Sequence, residues 1–360
     1  MNKKTITLAC CLSALALANA RAEQPDWLRD VADRLKVHGY AQGGYTYQRV
    51  DETNSNTFDL KRTLLWVDAR ITDRWSFLFM HDFNSVVQEY YTDFRITRDK
   101  SLSVKLGQSK TAVTMENPWS PTSMETIDVY SEGVTYLAGC GSDPLYGVQY
   151  GRDLGLSLHG EVAKGKLAYD VSVMNGQGIC QIDANGNKRA ANKDLNNKKD
   201  FIGRLEFRPL AGLNIVATGQ LGWGHALVDS PIFCPGIRLG EDYRRNRWSV
   251  GFDYRSTALN VHGEYLEGKD GGTISRGAYV TGAVPLYKGL ELVGSYDFFN
   301  FNVDQGMSQH KAVAGLQYWF FKKCRFQVQY VYKNALTDYK SYFRHCANHA
   351  IMCQMQVRFN

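Results

Sequence analysis

Proline is scarce in this sequence, with 8 in 360 residues, and beyond the N-terminus no apolar run reaches the ~18–20 residues that a spanning helix needs. A polytopic helical membrane protein is therefore excluded. With 44% hydrophobic and 22% charged residues, and no low-complexity tract, a disordered chain is excluded as well. Charge of one sign is also missing: 42 basic side chains face 36 acidic ones, with no run of like charge, which argues against a nucleic-acid surface. There is no nucleophile elbow, Walker loop, H-E-x-x-H or glycine-rich dinucleotide turn, so the sequence points to no enzyme and no cofactor.

What is present begins with an export signal. Lys3 and Lys4 precede an apolar stretch from Ile6 to Ala18, and Ala18, Ala20 and Ala22 offer an A-x-A cleavage site, which makes residues 1–22 a signal peptide. Its removal leaves 39 basic against 36 acidic residues. Residues 23–36, with Trp27, Leu28, Val31 and Leu35 at helical spacing, read as a short periplasmic helix. From Val37 to the last residue the hydrophobic period is two. Phe326, Val328, Tyr330 and Tyr332 alternate with Arg325, Gln327, Gln329 and Lys333, and Trp248, Val250, Phe252 and Tyr254 with Arg247, Ser249, Asp253 and Arg255.

About sixteen such segments follow one another, most near the ~9–11 residues that cross a bilayer when tilted. Their connections alternate between tight turns, such as Thr72-Asp73-Arg74, Leu210-Ala211 and Phe321-Lys322-Lys323, and longer polar links. A soluble sandwich gives no reason for that asymmetry. A strand-built span in hydrocarbon must close on itself to pair every backbone group, with short turns at one end and loops at the other. Residues 37–360 are thus expected to form an all-β, transmembrane antiparallel barrel of about 16 strands in the cell outer membrane of a Gram-negative bacterium, enclosing a water-filled pore. Rival readings are a ligand- or partner-binding barrel, a substrate-specific channel and, more remotely, an outer-membrane enzyme.

Alternation places Arg62, Lys105, Arg204, Arg245, Arg247, Arg325 and Arg358 on the lumen side, with acids such as Asp68, Glu89, Asp93, Glu206, Glu264 and Asp297 in similar number. Such charges either select ions or pair across strands. The longest link, about Thr111 to Tyr146, is expected to fold inward as a constriction, with Glu116 and Trp119 on it and Lys110, Lys105 and Arg62 beside it. Cys140, Cys180, Cys234 and Cys346 fall in outer loops and allow two disulfides in three possible pairings. His345, Cys346, His349 and Cys353 have a zinc-like spacing, but Cys353 lies inside a strand, so no metal site is expected.

The stretches VKLGQSKTAVTMENPWSPTSMETID (Val104 to Asp128), GRDLGLSLHGEVAKGKLAYDVSVMNGQG (Gly151 to Gly178), NNKKDFIGRLEFRPLAGLNIV (Asn196 to Val216), RRNRWSVGFDY, SRGAYVTG and the terminal QMQVRFN, with FDLKRTLLW near the start, together resemble the phosphate-selective porin O and P family of Bacteroidetes-type outer membranes. The resemblance spans nearly all of the mature chain. It implies a sixteen-stranded homotrimer inserted by the barrel-assembly machinery into outer-membrane lipid, a third outer loop folded inward, and passive diffusion of small polar or anionic solutes such as phosphate.

Overall fold

The computed structural model describes residues 33–145, 147–182, 188–190, 194–339 and 342–359. The expected signal peptide and most of the expected N-terminal helix lie outside the described residues. By Leu35 the chain is already strand.

Sixteen antiparallel strands follow in chain order and close into one barrel. They are β1 (Leu35–Val50), β2 (Thr53–Arg70), β3 (Trp75–Asp82), β4 (Val87–Arg95), β5 (Ser103–Lys110), β6 (Arg152–Val162), β7 (Leu167–Met174) and β8 (Asp200–Leu210). The second half comprises β9 (Leu213–His225), β10 (Asp242–Arg255), β11 (Asn260–Asp270), β12 (Thr273–Tyr287), β13 (Leu290–Asn300), β14 (Ser308–Phe321), β15 (Cys324–Tyr339) and β16 (Tyr342–Phe359). The seam pairs β1 with β16, from Gly39 opposite Phe359 to Val50 opposite Asn348, so no edge is left open.

Alternation decides which way each side chain points. On β10, Trp248, Val250 and Phe252 are 46%, 49% and 41% exposed, whereas Arg247 and Ser249 are 3% and 1% exposed. The barrel is therefore apolar outside and polar inside, and the outer belt is the surface that a hydrocarbon layer demands. Each of the sixteen expected segments corresponds to one strand. The differences are at strand ends. β15 and β16 run on to Tyr339 and Tyr342, so Cys346 is a strand residue and not a loop residue.

Both chain ends of the barrel lie at the same end as the tight turn after Leu210, where Gly212 has φ +80° and a Cβ would meet the Arg255 carbonyl at 2.3 Å. The opposite end carries the long links but also two-residue turns at 51–52 and 271–272, where the sequence suggests loops. The 41 residues between β5 and β6 (111–151) leave the wall and fold inside the cylinder, where a short helix, α1 (Glu132–Leu137), is capped by Ser131.

Strand closure is tightest at Gly44 on β1, where a Cβ would stand 1.8 Å from the Cys353 carbonyl oxygen on β16. Gly44→Val is expected to cost about 1–3 kcal/mol at the seam, seen as loss of the compact, unboiled gel band. Gly203→Ala, which meets nothing within 4 Å, should leave that band intact.

Candidate functional site

A chain segment inside a barrel carries backbone donors and acceptors that need partners. Here the wall supplies them with its side chains. Amide N–H groups of the infolded loop donate to the wall: Thr114 to Thr218 Oγ1 (3.2 Å), Met115 to Glu264 Oε1 (2.6 Å), Ile127 to Gln329 Oε1 (2.8 Å) and Glu132 to Asp297 Oδ2 (2.6 Å). Its carbonyls accept from the wall: Thr114 from Arg204 (2.7 Å), Glu125 from Gln327 and Gln329 (2.9 and 2.8 Å), Leu137 from Arg247 (3.4 Å) and Thr122 from Gln356 (3.2 Å).

Apolar contacts complete the seat. Val113, Met115, Val134, Tyr136 and Leu137 of the loop pack on the inward-facing Ile202, Val216, Leu266, Tyr279 and Phe299. These wall residues break the polar inner row of their strands. Leu266 is in phase with His262 and Glu264, and Phe299 with Asp297. An apolar residue in a polar phase is the sequence signal that marks where the loop lies, and the sequence reading did not use it.

This seat corrects several expectations. Glu116 is not at a constriction: it is 1% exposed, accepts from the Ser131 amide (3.1 Å) and lies 3.0 Å from His262 Nε2. Trp119 is half-buried, edge-on to His262, with the Arg255 guanidinium 5.5 Å from its ring. Arg245, Arg247 and Arg325 do face inward, but they sit beneath the loop instead of lining a passage. Arg245 is 3.3 Å from Asp143, Arg247 pairs with Asp270 at 2.8 Å, and Arg325 is bonded to Gln317, Gln356 and the Met124 carbonyl. Arg62 bonds Gln42 Oε1 at 3.3 Å on the neighbouring strand.

Among the described residues neither Cys140 nor Cys234, two of the loop cysteines expected to form disulfides, is in one. Cys140 and Cys234 carry free thiols, beside Asn117 and Tyr136 respectively. Burial pushes the Cys140 thiol up to about 12, which leaves it unreactive. The side chain of Cys180 lies outside the described residues.

Because the loop lies against β8 to β16, open space remains on the other side. A cavity of about 990 Å³ is bounded mainly by β1 to β8, with Pro118, Ser120 and Pro121 of the loop forming its far wall. Lys105, Lys110, Arg204 and Arg358, all expected at the lumen, line it. Eleven basic and eight acidic side chains line it in total. Some are paired: Arg152 with Glu89 at 2.8 Å, Arg204 with Glu206 at 2.7 Å, and His159 with Asp93 at 2.9 Å. Lys105, Lys110 and Arg358 have no carboxylate within ion-pairing distance among the described residues. Lys105 stands 5.1 Å from the Tyr91 ring, Lys110 bonds the Trp119 carbonyl and the Tyr130 hydroxyl, and Arg358 bonds Thr122 Oγ1 at 2.6 Å. Arg152 was missed because it shares the phase of the outward Leu154 and Leu156, and alternation lapses where β6 receives the loop.

One ion cluster fixes α1 to the wall. Glu132 lies 3.1 Å from Lys311 and 3.0 Å from Lys333. Burial pushes the Glu132 carboxyl upward, and the two ammonium groups outweigh it, taking it from 4.5 down to about 2. A depressed carboxylate stabilises the loop fully above its unfolded value and loses that contribution as pH falls from about 4.5 through about 2. Hydrogen-exchange protection of residues 131–138 is expected to fall within that window. Glu132→Gln leaves two lysines short of a partner and should cost about 3 kcal/mol, speeding chymotryptic cleavage within 111–151 on the order of 100-fold at neutral pH.

No family model and no curated protein matches the chain. Solved structures do. An anion-selective porin from Comamonas acidovorans aligns with a TM-score of 0.63 and 11% identity, covering 90% of this chain and 99% of its own. Pseudomonas putida OprB aligns at 0.64 and 8% identity over 93% and 96%. Vibrio cholerae OmpT, folded in vitro and in trimer form, aligns at 0.56 and 13% identity over 90% and 100%. Identities this low establish the architecture and leave the phosphate-selective resemblance unsupported at family level; what they support is that the chain has the sixteen-stranded barrel fold of outer-membrane porins and channels.

Proposed function

We propose that the protein is a porin of the Gram-negative outer membrane, passing small hydrophilic solutes by diffusion through the lumen with a mild preference for anions. The observation that carries this reading is the charge of the open half of the barrel. Its lining has more bases than acids, and two of the cations, Lys105 and Arg358, have no carboxylate close enough among the described residues to neutralise them. In a narrow passage with low-dielectric walls such charges set the sign of the local potential.

Acids are interspersed along the same wall, so a dense basic ladder of the kind a phosphate-selective channel needs is missing from the cavity lining. This favours a general anion preference over phosphate specificity. The apolar outer belt supports contact with membrane lipid. Assembly as a homotrimer, inserted by the barrel-assembly machinery, belongs to the same proposal and is in keeping with the trimeric form of the OmpT neighbour.

The reversal potential of single channels in asymmetric potassium chloride tests the reading. Chloride should be preferred by a factor of about two, and Lys105→Glu should move the preference toward potassium. A strong cation preference in the unmodified protein would overturn it.

A further inference from the structure

One part of the cavity wall departs from the polar inner row. Across β1 to β4 six inward positions, Tyr40, Leu64, Trp66, Leu78, Met80 and Tyr91, are apolar and line the open cavity. The acids interspersed with them each have a base beside them, Asp68 with His38 at 3.2 Å, Glu89 with Arg152 at 2.8 Å and Asp93 with His159 at 2.9 Å. The register makes the six apolar residues neighbours. Tyr40 stands opposite Leu64, Trp66 opposite Met80, and Leu78 opposite Tyr91. Elsewhere in the barrel inward apolar residues are covered by the infolded loop, as Leu266 and Phe299 are. This strip is uncovered: Trp66, Leu78, Met80 and Tyr91 are only half-buried and face the cavity. Leaving apolar surface toward a water-filled passage is unfavourable unless something else occupies it.

Two of the unpaired cations border the strip. The Lys105 ammonium is 5.1 Å from the Tyr91 ring, and the Arg358 guanidinium 5.5 Å from the Trp66 ring. Each holds its charge at the margin of an apolar face with no carboxylate in ion-pairing distance among the described residues, Asp93 opposite Lys105 lying instead 2.9 Å from His159. A ligand complementary to both features has a flat apolar body and one anionic end.

We infer that this strip is a binding subsite for organic anions of that kind, aromatic carboxylates above all, and that it slows and concentrates them in passage. The inference rests on the porin reading, and it names a substrate class within it. The ring would lie on Trp66 and its neighbours, while the carboxylate meets Lys105 or Arg358. No bond is made or broken, and a small anion without the apolar body uses only the charges.

Blockade of potassium chloride current in planar bilayers tests the subsite, with benzoate, acetate and benzylammonium as probes. Benzoate should reach half-block at a concentration on the order of tenfold below acetate, from ring burial and cation–π contact, and benzylammonium should not block. Trp66→Ala, or Leu78→Ser if that variant fails to give a compact gel band, should bring benzoate and acetate to the same half-blocking concentration. Lys105→Gln should weaken the benzoate block. Equal block by benzoate and acetate in the unmodified channel overturns the subsite while the porin reading stands, and so does a benzoate preference that survives loss of the strip. Benzylammonium blocking as well as benzoate removes the anionic part of the claim. Absence of any chloride current sinks the porin reading instead.

Discussion

Everything inside this barrel depends on satisfying the backbone of a chain segment that has left the sheet. Residues 111–151 have little regular structure beyond the six residues of α1. Turns such as Trp119 to Glu116 and Val129 to Thr126 pair some of their backbone groups, and others, such as the Thr114, Met115 and Ile127 amides, take their partners from the wall. Threonine, glutamine, carboxylate and guanidinium groups from β8 to β16 take the place of a sheet or of water. An unpaired buried amide costs ~1–3 kcal/mol, so this arrangement largely decides where the loop can rest. It also explains why so much of the inner wall is glutamine and arginine. These side chains reach across several ångströms and present donors to carbonyls.

The same constraint divides the lumen into two unequal parts. On the covered side, charges are spent on structure: Arg247 is tied to Asp270 and to a loop carbonyl, and Lys311 to Glu132. Groups held this way are screened from a passing ion by their own partners. On the open side the wall keeps cations without counter-charges, and there the inner surface also turns apolar. The placement of the loop, more than the number of charged residues, therefore determines which of them can act on a solute.

The barrel itself was legible in the sequence. A two-residue hydrophobic period sustained from Val37 onward, with turns and loops in alternation, admits few other structures, and each expected segment became one strand. Alternation in the sequence starts the last strand only near residue 349 and leaves Cys346 in a loop. Pairing with β15 keeps residues 342–348 in the sheet beyond the outer belt. The functional surface was only half legible. Lys105 lines the cavity, Lys110, Arg204 and Arg358 line it and also bond the loop, and Arg245, Arg247, Arg325 and Glu116 belong to the loop's seat. Alternation reports the face on which a side chain lies and carries no information about what covers that face.

What the sequence by itself determined is the closed barrel and the direction of each wall residue, because both follow from local periodicity and from the need to pair every backbone group in a hydrocarbon layer. Only the tertiary structure decided which inward residues hold the loop and which meet the passage. That outcome turns on contacts between residues 90 to 236 positions apart, such as Arg204 with Thr114, Ile127 with Gln329 and Arg358 with Thr122, and a pattern with a period of two cannot encode them.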